Sequence, residues 1–122
     1  LVDWFLSQEM STKGFSKAIF SGLPTCVIAS LLAEKILPAS DLTGLYHLSV
    51  DPIDKYTLLN LISEVYKKNI ELDESTDLKI DRSLNSTLLR TQLNLAPISW
   101  NALILEMHAD YKYRYEKFRC KN

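Results

Sequence analysis

The polar side chains with the clearest capacity for chemistry lie in a short turn-forming stretch in the second half of the chain. Arg82, Asn85 and Ser86 supply a guanidinium, a carboxamide and a hydroxyl close together. All three groups donate hydrogen bonds, and a guanidinium binds phosphate oxygens in a bidentate manner. The stretch fits a phosphate-binding turn. The residues alone nevertheless favour a surface arginine that pairs with Asp77 or Asp81.

The histidines and cysteines show no spacing typical of a metal site. His47 lies in an apolar run, which fits a histidine in or near the core, with a catalytic histidine as the alternative. His108 is predicted to lie on the surface, and Cys26 to pack inside an apolar helix. Cys120 is distant in sequence from Cys26, and neither belongs to a CxxC motif. We therefore expect no zinc site and two reduced thiols.

Motifs for nucleotide phosphates are absent from the sequence. The chain has 3 glycines, and they form neither GxGxxG nor GxxxxGK[ST]. The sequence therefore predicts no dinucleotide-binding loop in this chain. Tyr113 and Lys117 match YxxxK, which places a phenol and an ammonium one helical turn apart. Because this pair lies in a charged segment with no nucleotide fold before it, we interpret it as helix surface rather than as a catalytic pair.

The stretch 44–59 indicates how the chain is organised. An apolar run at 45–48 follows a glycine and predicts a buried strand. The Asp-Pro pair at 51–52 ends it, because proline has no N–H and disfavours helix at the preceding residue. Asp54 is expected to cap the helix that follows. This pattern is that of a strand-to-helix junction in an α/β protein.

The remaining elements are short, and the predicted fold is α/β, mainly helical with a few short strands. Residues 11–14 are predicted to form a loop, and residues 70–77 a loop with a strand fragment. Helices are expected over 2–9, 25–37, 87–93 and from 100 onward after a Ser99 cap, and strands over 15–20 and 78–80. Residues 108–122 are interpreted as a charged helical tail, and 1–122 as a single partial domain.

Composition excludes several classes of protein. The chain has 122 residues, a net charge of −1, 47% hydrophobic and 24% charged residues, which is ordinary for one globular domain. No basic excess favours nucleic acid, and no apolar run approaches the roughly 18 residues that span a bilayer. The cysteine content favours the cytoplasm. The first residues begin in the middle of a helical pattern, so we expect a piece of a longer protein.

Four segments in order resemble the extended short-chain dehydrogenase/reductase family, in particular its dTDP-4-dehydrorhamnose reductases. Residues 20–25, Phe-Ser-Gly-Leu-Pro-Thr, are similar to that group's G-x-P-T turn, and residues 44–49 to its G-x-Y-H-x-S strand. Residues 80–89 are similar to its R-P-x-N-S-x-L segment, with Ser83 in place of proline. Residues 94–100 match its x-P-x-x-W turn. The resemblance covers roughly residues 14–107.

The resemblance implies the carboxy-terminal, substrate-binding lobe of a Rossmann-type enzyme without its nucleotide-binding half. That absent half would hold NADPH or NADH and the catalytic tyrosine and lysine, so this chain would bind no cofactor and have no activity alone. Gly22 and Thr25 would line the wall of the substrate cleft. Arg82, Asn85 and Ser86 would lie near the diphosphate of a dTDP-sugar. Another candidate for substrate binding is Lys17, since the family often places a basic residue near this strand.

Two alternatives remain open at this stage. One is a non-catalytic member of the same family that keeps the fold for protein contact or regulation. The other is an unrelated small α/β interaction domain. If the strand near Tyr46 has lost its neighbours in the sheet, its unpaired edge would favour a homo-oligomer.

Overall fold

The computed structural model describes residues 1–115. Lys117 of the YxxxK pattern and Cys120 lie outside this range. Within it the chain forms short helices and strands, which confirms the coarse α/β class. The helices are α1 (Val2–Ser7), α2 (Thr25–Leu31), α3 (Lys55–Tyr66), α4 (Thr87–Gln92) and α5 (Trp100–Asp110), with π-helical turns at Leu32–Ile36 and Tyr111–Tyr115. The strands are β1 (Ser11–Phe15), β2 (Ala18–Phe20), β3 (Ile53–Asp54), β4 (Glu71–Ser75) and β5 (Ile80–Asp81).

The strands form two small sheets. β1 pairs with β4 in parallel, in a register that places Ser11 opposite Glu71. In the other sheet β2 lies in the centre, antiparallel to β3 and parallel to β5. Both sheets therefore depend on contacts between residues that are far apart in sequence.

The chain divides into two compact units, each built from two separate segments. The first unit consists of Leu1–Ser21 and Asp51–Ser83, and the second of Gly22–Val50 and Leu84–Asn122. The first unit holds α1, α3 and the five strands named above. The second holds α2, α4 and α5.

The core of the first unit forms where α3 packs against the strands. α3 contacts β1, β2 and β4. Its buried side chains Leu58, Leu59 and Ile62 recur at helical spacing and form its inner face. Gly14 of β1 is also buried, and a Cβ atom at this position would lie only 2.8 Å from the Cα of Tyr56. A side chain at position 14 would therefore keep α3 from approaching β1 so closely.

The core of the second unit centres on Val27, Val50 and Leu103, as α2 packs against α5. The side chains that surround them are partly buried: Leu23, Cys26, Leu31, Ile98 and Trp100. Burial is the main cause that raises the pKa of the Cys26 thiol above its ordinary value. Cys26 packs against this core, as the sequence predicts, and the raised pKa keeps its sulfur in the less reactive thiol form.

Two predicted helix caps are confirmed. Asp54 Oδ1 accepts a hydrogen bond from the backbone N–H of Thr57 at 2.8 Å, and its Oδ2 accepts one from the Thr57 hydroxyl at 2.7 Å. Ser99 Oγ accepts a hydrogen bond from the N–H of Ala102 at 3.3 Å. Each cap supplies an acceptor to a backbone N–H that has no partner within its own helix.

Replacement of Asp54 by alanine is expected to lower the free energy of unfolding by about 1–2 kcal/mol, because α3 loses this acceptor. The measurement is urea denaturation followed by circular dichroism. Asp54→Asn is the matched control, since asparagine also caps well and should lose less. An alanine variant that unfolds at the same urea concentration as the wild type would contradict the role of the cap.

The predicted strand at 45–48 is wrong. The segment has no regular structure, and Leu45 is 88% exposed. It follows Gly44, whose φ of 104° turns the chain sharply, and it finds no partner strand within the described residues. The proposed unpaired strand edge at Tyr46 is therefore absent from the structure.

Two assignments near the start of the chain are also wrong. The segment 11–14, predicted as a loop, belongs to β1, because pairing with β4 overrides its loop-like composition. The predicted strand at 15–20 is interrupted by a turn at residues 16–17. Polar residues and a glycine therefore form a strand here where local patterns favour a loop.

Candidate functional site

A cavity of about 390 Å³ lies in the first unit. Its volume falls in the range of sites that hold small molecules. The lining combines an apolar wall with two cationic side chains, and consists of Leu1, Ile19, Phe20, Lys55, Leu58, Leu78, Ile80 and Arg82. Such a cavity suits a ligand with an apolar or aromatic portion and a negative charge.

The three-stranded sheet brings the two cations to this cavity. Ile19, in the middle of β2, is paired with Asp54 of β3 on one side and with Asp81 of β5 on the other. Lys55 is the residue after Asp54, and Arg82 is the residue after Asp81. Both cationic residues therefore follow directly after strands that pair with the central strand β2.

The backbone on either side of Arg82 is held by β2. The N–H of Arg82 donates to the carbonyl of Ile19 at 3.1 Å, and the N–H of Ile80 donates to the carbonyl of Lys17 at 3.1 Å. These bonds continue the parallel ladder past the last residue of β5. They fix the position of the backbone from which the Arg82 side chain extends, and the side chain itself is exposed.

The carboxylates nearest in sequence to the two cations are engaged by other donors. Asp54 caps α3, as described above. Asp81 Oδ1 accepts hydrogen bonds from Ser83 Oγ at 2.7 Å and from Ser83 N–H at 2.8 Å. The Ser83 hydroxyl and N–H hold the pKa of Asp81 below its usual range. Asp81 therefore keeps its charge next to Ser83 rather than in an ion pair with Arg82.

Asp77, the other carboxylate considered for Arg82, pairs with a different residue. The Lys13 ammonium lies 3.4 Å from Asp77 Oδ2, and both side chains are exposed. Hydrogen bonds from the Ser75 hydroxyl and from Lys13 lower the pKa of Asp77. Across residues 1–115, Arg82 thus has no carboxylate partner, and the interpretation of a paired surface arginine does not describe this structure.

Lys17 lies in the turn between β1 and β2 and is exposed. Its carbonyl receives the N–H of Ile80, but its side chain is not among those that line the cavity. The backbone of Lys17 therefore contacts β5, the strand that precedes Arg82. The ammonium of Lys17 does not line the cavity.

The other predicted site residues lie in the second unit, where the side chains of two of them form hydrogen bonds with the backbone. Asn85 Oδ1 accepts from the N–H of Thr87 at 2.9 Å, at the start of α4. Ser86 is buried, and its hydroxyl donates to the carbonyl of Ser49 at 2.8 Å. Gly22 precedes α2 in an irregular segment, and Thr25 is the exposed first residue of α2.

Sequence reasoning missed Lys55. Lys55 lies outside the turn motif that singled out Arg82, and helical periodicity alone assigned it no role. Two facts about the fold give it significance, namely the antiparallel pairing of β3 with β2 and the position of Arg82 beyond β5. The role of Lys55 therefore becomes visible only when the strand pairing is known, which the sequence alone does not show.

Two further kinds of site were sought among the described residues, namely groups of metal ligands and helices able to cross a membrane. Residues 1–115 contain no cluster of three or more His, Cys, Asp or Glu side chains arranged to hold a metal ion. None of the helices in this range combines the length and the apolar character that crossing a bilayer requires.

Comparison of the chain with protein-family models, with curated proteins and with solved structures yields no match.

Proposed function

We propose that the chain is the sugar-nucleotide-binding part of an NAD(P)-dependent nucleotide-sugar reductase of the extended short-chain dehydrogenase/reductase family, similar to the dTDP-4-dehydrorhamnose reductases. The observation that supports this most is the position of Arg82 at an apolar cavity of about 390 Å³. Arg82 belongs to the segment 80–89, whose sequence resembles the substrate-binding segment of that group.

The cavity matches the chemistry of such a ligand. A guanidinium presents paired N–H donors that fit the oxygens of a phosphate group. The apolar wall, which includes Phe20, Leu78 and Ile80, offers a surface against which the flat base of a nucleotide can pack. In this proposal Arg82 binds the diphosphate. Asn85, Gly22, Thr25 and Lys17 are candidates for substrate contact through the family resemblance alone. Ser86 is a candidate on the same ground, although its hydroxyl donates to the carbonyl of Ser49.

In the proposed enzyme, the chemical step belongs to residues and a cofactor outside this chain. NADPH or NADH, held by residues outside this chain, would supply the hydride for the keto carbon of the dTDP-sugar, and a tyrosine outside this chain would supply the proton. The chain described here binds and orients the sugar nucleotide, which lowers the entropic cost of that reaction. We therefore expect no reductase activity from these 122 residues alone. We also propose a cytoplasmic location, which the sequence supports through two cysteines outside any CxxC motif.

Titration with dTDP by isothermal calorimetry tests the proposal. We expect Arg82→Gln to weaken binding about 10- to 100-fold, because a charge-assisted hydrogen bond contributes about 1.5–3 kcal/mol. Arg114→Gln is the matched control, since Arg114 is exposed and pairs with Asp110 at 2.6 Å within one helical segment. Failure of the wild type to bind dTDP, or equal affinity in the wild type and Arg82→Gln, would contradict the proposal.

A second candidate function is a small protein-interaction domain. It is favoured by exposed leucines in the irregular part of the second unit, where Leu37 is 78% exposed and Leu45 is 88% exposed. The same titration separates the two candidates, because an interaction domain predicts no binding of dTDP. A non-catalytic member of the reductase family would instead bind dTDP but lack activity even as the whole protein.

A further inference from the structure

We propose that Lys55 is a second anion-binding residue of the cavity and that it contacts the second phosphate of the ligand. Arg82 and Lys55 together would then make the cavity selective for nucleoside diphosphates over monophosphates. This inference rests on the proposed function and adds to it a residue and a basis for selectivity.

The first support is position. Lys55 lines the same cavity as Arg82, and its side chain is half-buried. The strand order β3-β2-β5 places the two cations on opposite sides of the central strand β2. A ligand seated against Ile19 and Phe20 therefore has a cationic residue to either side, and the diphosphate of the proposed ligand offers one phosphate to each.

The second support is charge. Among residues 1–115, neither Lys55 nor Arg82 has a side-chain hydrogen bond or an ion pair. Their sequence neighbours Asp54 and Asp81 are held by a helix cap and by Ser83. Both cationic side chains therefore keep all their N–H donors available for the oxygens of a polyanionic ligand at this partly apolar wall.

The third support is that Lys55 is poorly placed for stability. It is the first residue of α3, a helix of 12 residues. The N-terminus of a helix carries partial positive charge, so a cation there is electrostatically unfavourable. The helix would be served better by a neutral or acidic side chain, and the ammonium at this position is more readily explained by the cavity than by the helix.

The test compares dTDP and dTMP as probes by calorimetry, with wild type, Lys55→Gln and Lys67→Gln. We expect the wild type to bind dTDP about tenfold more tightly than dTMP, which corresponds to one additional charge-assisted contact. Lys55→Gln should lower the affinity for dTDP about tenfold and leave that for dTMP nearly unchanged. Lys67→Gln removes the same charge just beyond the other end of α3 and should change neither affinity.

The melting temperature provides a second measurement that separates binding from folding. Because the helix dipole disfavours a cation at position 55, Lys55→Gln should melt at the same temperature as the wild type or slightly higher. Lys55→Arg should keep the preference for dTDP. Retained folding together with lost selectivity is a combination that a purely structural lysine would not produce.

The outcomes separate the two proposals. If Arg82→Gln weakens dTDP binding and Lys55→Gln does not, the role of Lys55 is wrong and the proposed function stands. If Lys55→Gln weakens dTDP and dTMP by the same factor, the assignment to the second phosphate is wrong. If the wild type binds neither probe, the proposed function itself fails.

Discussion

Replacing Leu103 with alanine is expected to lower the free energy of unfolding by about 4 kcal/mol. Leu103 is completely buried on α5 and packs with Val27 and Val50 in the core of the second unit. Removing the outer carbons of the leucine side chain loses the free energy of their burial. It also leaves a cavity that the neighbouring side chains fill only in part. Since domains are typically stable by only about 5–15 kcal/mol, this loss is a large fraction of the total.

Urea denaturation measures this loss, and with Trp4 replaced by phenylalanine in every variant the fluorescence of Trp100, which packs against the same core, provides a local signal. Leu105→Ala is the matched control, because Leu105 lies on the same helix but is 58% exposed. It should change the stability by less than about 0.5 kcal/mol. Similar effects of the two substitutions would show that the buried face of α5 is assigned incorrectly.

Gly14→Ala is expected to destabilise the protein by about 2–3 kcal/mol, near the upper end of what overpacking usually costs. The new Cβ atom would lie 2.7 Å from Tyr56 Cδ2 and 2.8 Å from Tyr56 Cα. The ring can rotate, but the Cα atom moves only if α3 shifts away from β1. Because Lys55 precedes Tyr56, we also expect this variant to bind dTDP more weakly.

Thermal and urea denaturation followed by circular dichroism measure the cost of Gly14→Ala. Ser11→Thr is a suitable control, since it adds one carbon at an exposed position of the same strand and should be nearly neutral. A Gly14→Ala variant as stable as the wild type would mean that α3 and β1 have room to separate.

The N-termini of α3 and α5 could be predicted because their signals are local. Asp54 and Ser99 each stand just before an apolar pattern, and a cap requires only the next few residues. The strands could not be predicted as well, because a strand is stabilised by a partner that the local sequence does not show. The polar segment of β1 becomes a strand through β4, whereas the apolar segment 45–48 has no partner and stays irregular.

The same distinction applies to the candidate site. Arg82 was identified from its own neighbourhood, where a guanidinium, an amide and a hydroxyl cluster in sequence. The hydroxyl of Ser86 proves to be committed to the carbonyl of Ser49, a contact between distant segments. Lys55 reaches the cavity only through the pairing of β3 with β2. Residue type indicated the chemistry, but the pairing of distant segments decided which groups share a cavity.

The parallel pairing of β1 with β4 has a consequence for the order in which the chain acquires its structure during synthesis. The segment Ser11–Phe15 leaves the ribosome before its partner Glu71–Ser75, which is translated only after the whole first segment of the second unit. Until then β1 exposes an unpaired backbone edge, and the closure of a long loop must precede its first ladder bond. A nascent chain stalled before residue 71 should therefore be open to capture by chaperones and to cleavage by proteases.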